Sequence, residues 1–111
     1  MDDDIRELLM LAAKACGYTD SDPMHGYGSI FIRNEYGERL WWNPATNPDD
    51  GALMEARLGI FVTWYGVEDV QCCVADGPVA IELFSDHNGD KQAARMMASL
   101  RVAAEIGRSK T

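Results

Sequence analysis

"RLWWNPATNPDDGALM", residues 39–54, sets two adjacent tryptophans ahead of two prolines and a pair of aspartates. Neighbouring side chains on a strand point to opposite faces, so only one of Trp41 and Trp42 can enter a core from an extended segment. The other needs a second surface. The same stretch also says where extension stops. Asn47 is a good helix N-cap, Pro48 suits the first helical position, and Asp49 and Asp50 complement the positive end of a helix dipole. The reading is a strand ending at Trp42, a turn, and a short helix over 48–58 closed by Gly59. Leu53, Ala56 or the stem of Arg57, and Leu58 are its expected core contacts.

Upstream, Ile5, Leu8, Leu9, Ala12 and Cys16 recur at helical spacing and predict a helix over 3–16 that ends at Gly17. "GYTDSDPMHGYG", 17–28, is loop by composition. "SIFIRNEYGERLWW" then reads as a hairpin with its turn near Asn34 to Gly37. Downstream, short strands are expected at about 60–65, 69–75 and 79–84, with turns at Val67-Glu68 and Asp76-Gly77-Pro78. A final helix over 90–106 should bury Ala93, Met96, Met97, Leu100 and Ala104 and close at Gly107, leaving 108–111 as a frayed tail. The order α-ββ-α-βββ-α, with short links between strands, predicts a single-domain α+β fold, a helix/antiparallel-sheet/helix sandwich spanning 1–111.

Alternation along the strands sorts their side chains into two sets. Ile30, Ile32, Leu40, Trp42, Ile60, Val62, Trp64, Val70, Cys72, Val74, Val79, Ile81 and Leu83 form an almost purely apolar face, expected to be the core. Phe31, Arg33, Arg39, Trp41, Phe61, Thr63, Tyr65, Gln71, Cys73, Glu82 and Phe84 fall on the other face, where rings mix with polar groups. Interfaces favour large aromatics and arginine, so Trp41, Phe31, Arg33, Phe61, Tyr65 and Phe84 are the candidate interaction residues. The alternative is that the short helix or the 17–28 loop covers these rings and makes a second core.

Composition narrows the partners. Eighteen acids against ten bases give a net charge of −8, without a basic cluster. Nucleic-acid binding relies on lysine and arginine displacing counterions from phosphate, so direct DNA or RNA binding is disfavoured, as is an anionic membrane. The longest apolar runs are far too short to span a bilayer. The acidic start, Met1-Asp2-Asp3-Asp4, is unlike a signal peptide, and three cysteines (Cys16, Cys72, Cys73) fit a reducing compartment, so an intracellular protein is expected.

No chemical motif stands out. His25 and His87 lack partners at zinc-ligand spacing. "DHNGD", 86–90, resembles part of a calcium loop, but the twelfth position, which needs a bidentate acid, is Met97; Asp90 as an N-cap after an Asn-Gly turn explains it better. Cys72-Cys73 lacks redox or zinc spacing, and "GYGS", 26–29, lacks the lysine of a phosphate cradle. Asp49, Asp50 and Glu55 could be called a carboxylate cluster, but carboxylates in a first helical turn are more often dipole partners than catalytic groups. No catalytic residue, metal ligand or cofactor is therefore expected.

One resemblance joins these elements. "WWNPATNPDDGALMEARLGI" after a hydrophobic hairpin, three further strands, and the closing "DKQAARMMASLRVAAEIG" resemble the phage ABA-sandwich domain family of small phage and prophage proteins. The matching positions are Trp42, Pro44, Thr46, Asp49 and Leu53, then Ala94, Leu100, Arg101, Ala103 and Ala104. Asn47-Pro48 and Val102 depart from the pattern. The resemblance implies a phage-encoded helix-sheet-helix sandwich acting in the cytoplasm of the bacterial host, with no catalytic residues to carry over. With the acidic charge and the mixed face, it leads to the expectation of an accessory protein that binds a host protein or itself, as a homodimer, possible roles including an acidic inhibitor of host defence such as a CRISPR complex. The alternatives are a small-molecule or nucleotide-binding domain using the aromatic face, and an enzyme whose site the sequence does not reveal.

Overall fold

The computed structural model describes residues 3–23 and 29–110. His25 and the end of the 17–28 segment lie outside the described residues, as does Thr111. The elements run α1 (Asp3–Ala15), β1 (Thr19–Pro23), β2 (Ile30–Arg33), β3 (Arg39–Trp42), α2 (Pro48–Leu58), β4 (Phe61–Tyr65), β5 (Asp69–Cys73), β6 (Val79–Leu83), a 3₁₀ turn (Phe84–His87) and α3 (Lys91–Arg108). The mixed α+β class and the order of helices and strands are those the sequence predicts, with β1 added. The strands form two antiparallel sheets, β1-β2-β3 and β4-β5-β6.

The decisive stretch folds as read. Trp42 is 4% exposed and Trp41 49% exposed, on opposite sides of β3. Trp41 leans on Phe31, with ring centres 4.2 Å apart, and the Arg39 guanidinium sits 4.8 Å from the Phe31 ring centre. After the strand, Asn43 knots the turn: its side-chain oxygen accepts from Ala45 N and its carbonyl from Asn47 N. Asn47 then caps α2 by accepting from Asp49 N at 2.9 Å, with Pro48 following, and Gly59 closes the helix in the left-handed conformation (φ 69°).

α2 turns a different stripe inward from the one expected. Gly51, Met54 and Glu55 are buried and Leu58 is half-buried, while Leu53, Ala56 and Arg57 are exposed. Gly51, Met54, Glu55 and Leu58 recur at i, i+3, i+4 and i+7, a helical stripe; what rotates the helix is close approach to the preceding turn. A Cβ at Gly51 would lie 3.3 Å from the Pro44 carbonyl oxygen and 3.8 Å from Met96 Cγ, so this side alone can sit against the turn and α3.

α3 is the hub, packing against α1, α2, β5, β6 and the 3₁₀ turn. Asp90 caps it, accepting from Ala93 N at 3.0 Å. Met96, Leu100 and Ala104 are buried as expected, but so are Ala94, Ala98, Ser99, Val102 and Ala103, because the helix is enclosed on most sides. One expectation about its end is corrected. Gly107 lies within the helix, against the Leu11 backbone of α1, and the helix continues to Arg108. Beyond the helix, Ser109 Oγ donates to the Glu105 and Ile106 carbonyls, and Lys110 Nζ donates to the Ala15 carbonyl at 3.0 Å. α1 contributes Leu9, Ala12 and Ala13 to the core, with Cys16 in the turn that follows it, and also carries β1 and β2.

Five of the twelve residues of the expected 17–28 loop are strand. "TDSDP" has little intrinsic strand preference; β1 forms because β2 offers it an edge, with a register shift between Thr19 and Asp22 and a proline at its end, as edge strands tolerate.

Candidate functional site

The second sheet has one covered face and one open face. Register fixes both: Phe61 pairs with Cys73 and Cys73 with Val79; Thr63 with Gln71 and Gln71 with Ile81; Tyr65 with Asp69 and Asp69 with Leu83. These three cross-strand rows point away from α3. Phe61, Tyr65, Val79, Ile81 and Leu83 are each between 45% and 60% exposed, so five large apolar side chains share one open surface. Gln71 occupies its centre and Asp69 one end. Beyond that end, at the Gly66–Val67 turn, a depression of about 590 Å³ is lined by Tyr65, Val67, Glu68, Asp69, Gln71 and Ile81. Phe61 and Tyr65 on β4 and Val79, Ile81 and Leu83 on β6 flank Cys73, Gln71 and Asp69 of the central strand, and so many large apolar side chains exposed on one sheet face are unusual on a protein that stays alone.

The candidate interaction residues divide. Phe61 and Tyr65 belong to this face. Phe31, Arg33 and Trp41 lie on the other sheet, where Arg33 Nη1 donates to the Gly37 carbonyl at 2.7 Å. Phe84 is 4% exposed and leaves the surface altogether: it starts the 3₁₀ turn, packs near Trp64 and carries the Lys91 ammonium over its ring. No strand pairing joins the two groups, so the sequence-based list is two patches and one core residue.

Val79, Ile81 and Leu83 are the members that the sequence reading assigned to the core. V-A-I-E-L permits either phase, and apolarity favours the wrong one. Cys72 is inward on β5 and pairs with Ala80, while Val70 pairs with Glu82, so β6 must turn its alanine and its acid toward α3. The acid is accommodated by two partners: Glu82 Oε1 lies 2.8 Å from His87 Nε2, and Glu82 Oε2 accepts from Arg101 Nε at 3.0 Å. A buried-side carboxylate with a helix arginine in reach is the signal that was available. Leu40 and Trp64, also assigned inward, are about half exposed because each sits on an edge strand.

A polar knot beneath the same sheet was not visible in the sequence at all. Glu55 accepts from Arg95 Nη2 at 2.6 Å and Arg95 Nε at 3.2 Å, and also from the fully buried Ser99 hydroxyl. The Cys72 sulfur lies 3.3 Å from Ser99 Oγ and 3.8 Å from the Arg95 carbonyl, which gives its hydrogen two acceptors. Burial raises the Cys72 thiol, outweighing the Ser99 hydrogen bond that lowers it, the reverse of an activated thiolate. Cys16 is pushed up to about 11, again chiefly by burial. Cys73, half-buried in the open face, is the remaining thiol. One thiol per native chain is therefore expected to react with a disulfide reagent at neutral pH and three after denaturation; fast reaction of two or more in the native state contradicts this arrangement.

Among the described residues, no group of three or more His, Cys, Asp or Glu side chains is placed to hold a metal ion, and no helix is long and apolar enough to cross a membrane. Asp90, at the end of the calcium-like "DHNGD", is spent on capping α3. Comparison of the chain with protein-family models, with curated proteins and with solved structures finds no match to any of them.

Proposed function

We propose that the protein is a binding module that docks a segment of another protein on the outer face of β4–β6. The observation that carries this is the set Phe61, Tyr65, Val79, Ile81 and Leu83, half exposed together on one sheet face. Three strands of five residues give a face of roughly 14 by 17 Å from standard strand spacing and rise. That is the footprint of a single helix, about 10 Å across, laid over the sheet. It is small for an interface between two whole globules.

Charge selects the occupant. The outward residues of the three strands include Asp69, with Glu68 beside it, and no lysine or arginine, on a chain of net charge −8; Arg101 and Arg108 of α3 adjoin only the β6 edge, where each is paired with a glutamate. A second copy would bring like charge to like charge, whereas a partner segment with basic residues flanking an apolar stripe gains on both counts. The setting we propose is a phage accessory protein meeting a basic surface of a bacterial host protein, host defence complexes included. Its support is the acidic balance together with the pattern from Trp42 to Ala104 described above.

The test is recovery from host lysate followed by binding measurements with the purified partner. Ile81→Asp is expected to weaken binding at least about tenfold and to cost little stability, since Ile81 is already exposed. Blocking Cys73 with N-ethylmaleimide should impair binding as well, and Trp41→Ala, on the other sheet, should leave it intact. Binding that survives Ile81→Asp overturns the proposal. So does a sedimentation mass showing that the wild type is a dimer and Ile81→Asp a monomer, since the occupant would then be a second copy.

A further inference from the structure

A groove of about 620 Å³ lies between the β2–β3 hairpin and the exposed side of α2, within the size range of small-molecule sites. Leu40 and Trp42 line it from the hairpin and Leu53 from α2. Leu40 and Leu53 are both substantially exposed, and Tyr18 meets Trp42 edge to face with ring centres 5.6 Å apart. The walls are thus apolar and aromatic.

The charged lining is one-sided. Glu35, Glu38 and Asp50 contribute three carboxylates and Arg57 one guanidinium. Arg57 is already engaged: Nη2 is 2.5 Å from Glu35 Oε2, Nε donates to the Cys16 carbonyl at 2.7 Å, and the guanidinium stands 5.1 Å from the Tyr18 ring centre. The groove therefore already holds one organic cation, tethered, on an aromatic ring beside a carboxylate. Glu38 accepts from Asn34 Nδ2 and Asp50 from Asn43 N, and a carboxylate has capacity for further donors. Asp50 is half-buried, and desolvation, reinforced by Asp49, raises its pKa against the lowering effect of the Asn43 N–H. Its charge is under-compensated, which an incoming cation would relieve. Phosphate-bearing ligands meet the opposite situation, so the nucleotide alternative raised by the sequence is disfavoured here.

We infer that this groove binds a small organic cation, a protonated amine on an apolar or aromatic body, with its charge toward Asp50 and Glu38 and its body against Trp42, Leu40 and Leu53. The site is separate from the β4–β6 face and does not depend on the function proposed for it.

The test titrates the isotope-labelled full chain near neutral pH with three probes of one shape: phenethylammonium, 2-phenylethanol and phenylacetate. The ammonium is expected to give saturable shifts at Leu40, Trp42 and Leu53 at millimolar concentration. Its affinity should exceed that of the neutral alcohol by at least about tenfold, and the anion should not saturate. Asp50→Asn keeps an acceptor for the Asn43 N–H, so the chain should stay folded while most of the preference for ammonium over alcohol is lost. Ile81→Asp should leave all three titrations unchanged. Equal affinity for the three probes, absence of saturable shifts with the ammonium, or full charge discrimination in folded Asp50→Asn would each overturn the assignment.

Discussion

Gly107→Ala is expected to destabilise the protein by about 3 kcal/mol, lowering Tm by roughly 10–15 °C for a chain of this length. In an ordinary helix interior the same change is favourable by nearly 1 kcal/mol, because alanine loses less backbone freedom on folding. Here the sign reverses. A Cβ at position 107 would lie 2.7 Å from the Leu11 carbonyl carbon and closer still to its oxygen, and both atoms are backbone. No side chain can swing aside, so α1 and α3 must separate, at the contact that joins the half of the chain carrying β1–β3 to the half carrying β4–β6. Ala12, Ala13, Ala103 and Ala104, all fully buried, are small for the same reason and lose contacts as the helices part. The control is Gly59→Ala. That site has a positive φ but open space around it, so only the left-handed strain of about 1–2 kcal/mol should appear. Urea unfolding of both variants checks the pair. A Gly107→Ala protein as stable as wild type would mean that the helices do not cross there.

How much of this was legible beforehand follows from what each signal measures. Helix 48–58 was readable to the residue because Asn47, Pro48 and Gly59 act locally, through hydrogen bonds and backbone preferences that need no partner. The burial of Trp42 against the exposure of Trp41 was readable as a difference, since alternation is local too. β1 was not readable, because its hydrogen bonds are supplied by β2 rather than by any preference in Thr19–Pro23. The phase of β6 failed for a related reason. Which of Val79 or Ala80 faces in is set by the pairing of Cys72 with Ala80, and a strand's own composition does not contain its register. That single error hid three of the five side chains of the open face. Gly107 shows the same limit at a helix end: a glycine near the end of a helical pattern signals a terminus in one context and a close crossing in another, and only the position of Leu11 decides.

Glu55→Ala is expected to cost about 3 kcal/mol, a loss out of proportion to one surface-helix residue. Glu55 is 8% exposed and holds both Arg95 and the wholly buried Ser99 hydroxyl, tying α2 to α3. Removing it leaves the Ser99 hydroxyl, which has no access to water, only the weak Cys72 sulfur as an acceptor, and leaves Arg95 only partly hydrated, with its side chain 33% exposed. That partial exposure holds the estimate at the low end of the range of about 3–5 kcal/mol for a broken buried pair. Arg95→Ala should cost less than Glu55→Ala, because the carboxylate left behind keeps the Ser99 hydroxyl. The double variant should therefore be more stable than the sum of the two losses predicts, with a coupling of about 1–3 kcal/mol. Glu55→Gln preserves shape and an acceptor for Ser99 but gives up the charge-assisted bonds to Arg95, and should fall between wild type and alanine. Because α2 also forms one wall of the cation groove, through Asp50 and Leu53, freeing it from α3 should weaken phenethylammonium binding in Glu55→Ala even at temperatures where the protein remains folded. Additive losses for Glu55→Ala and Arg95→Ala in urea unfolding would show that the two side chains act independently, and the knot beneath the second sheet would then not be what positions α2.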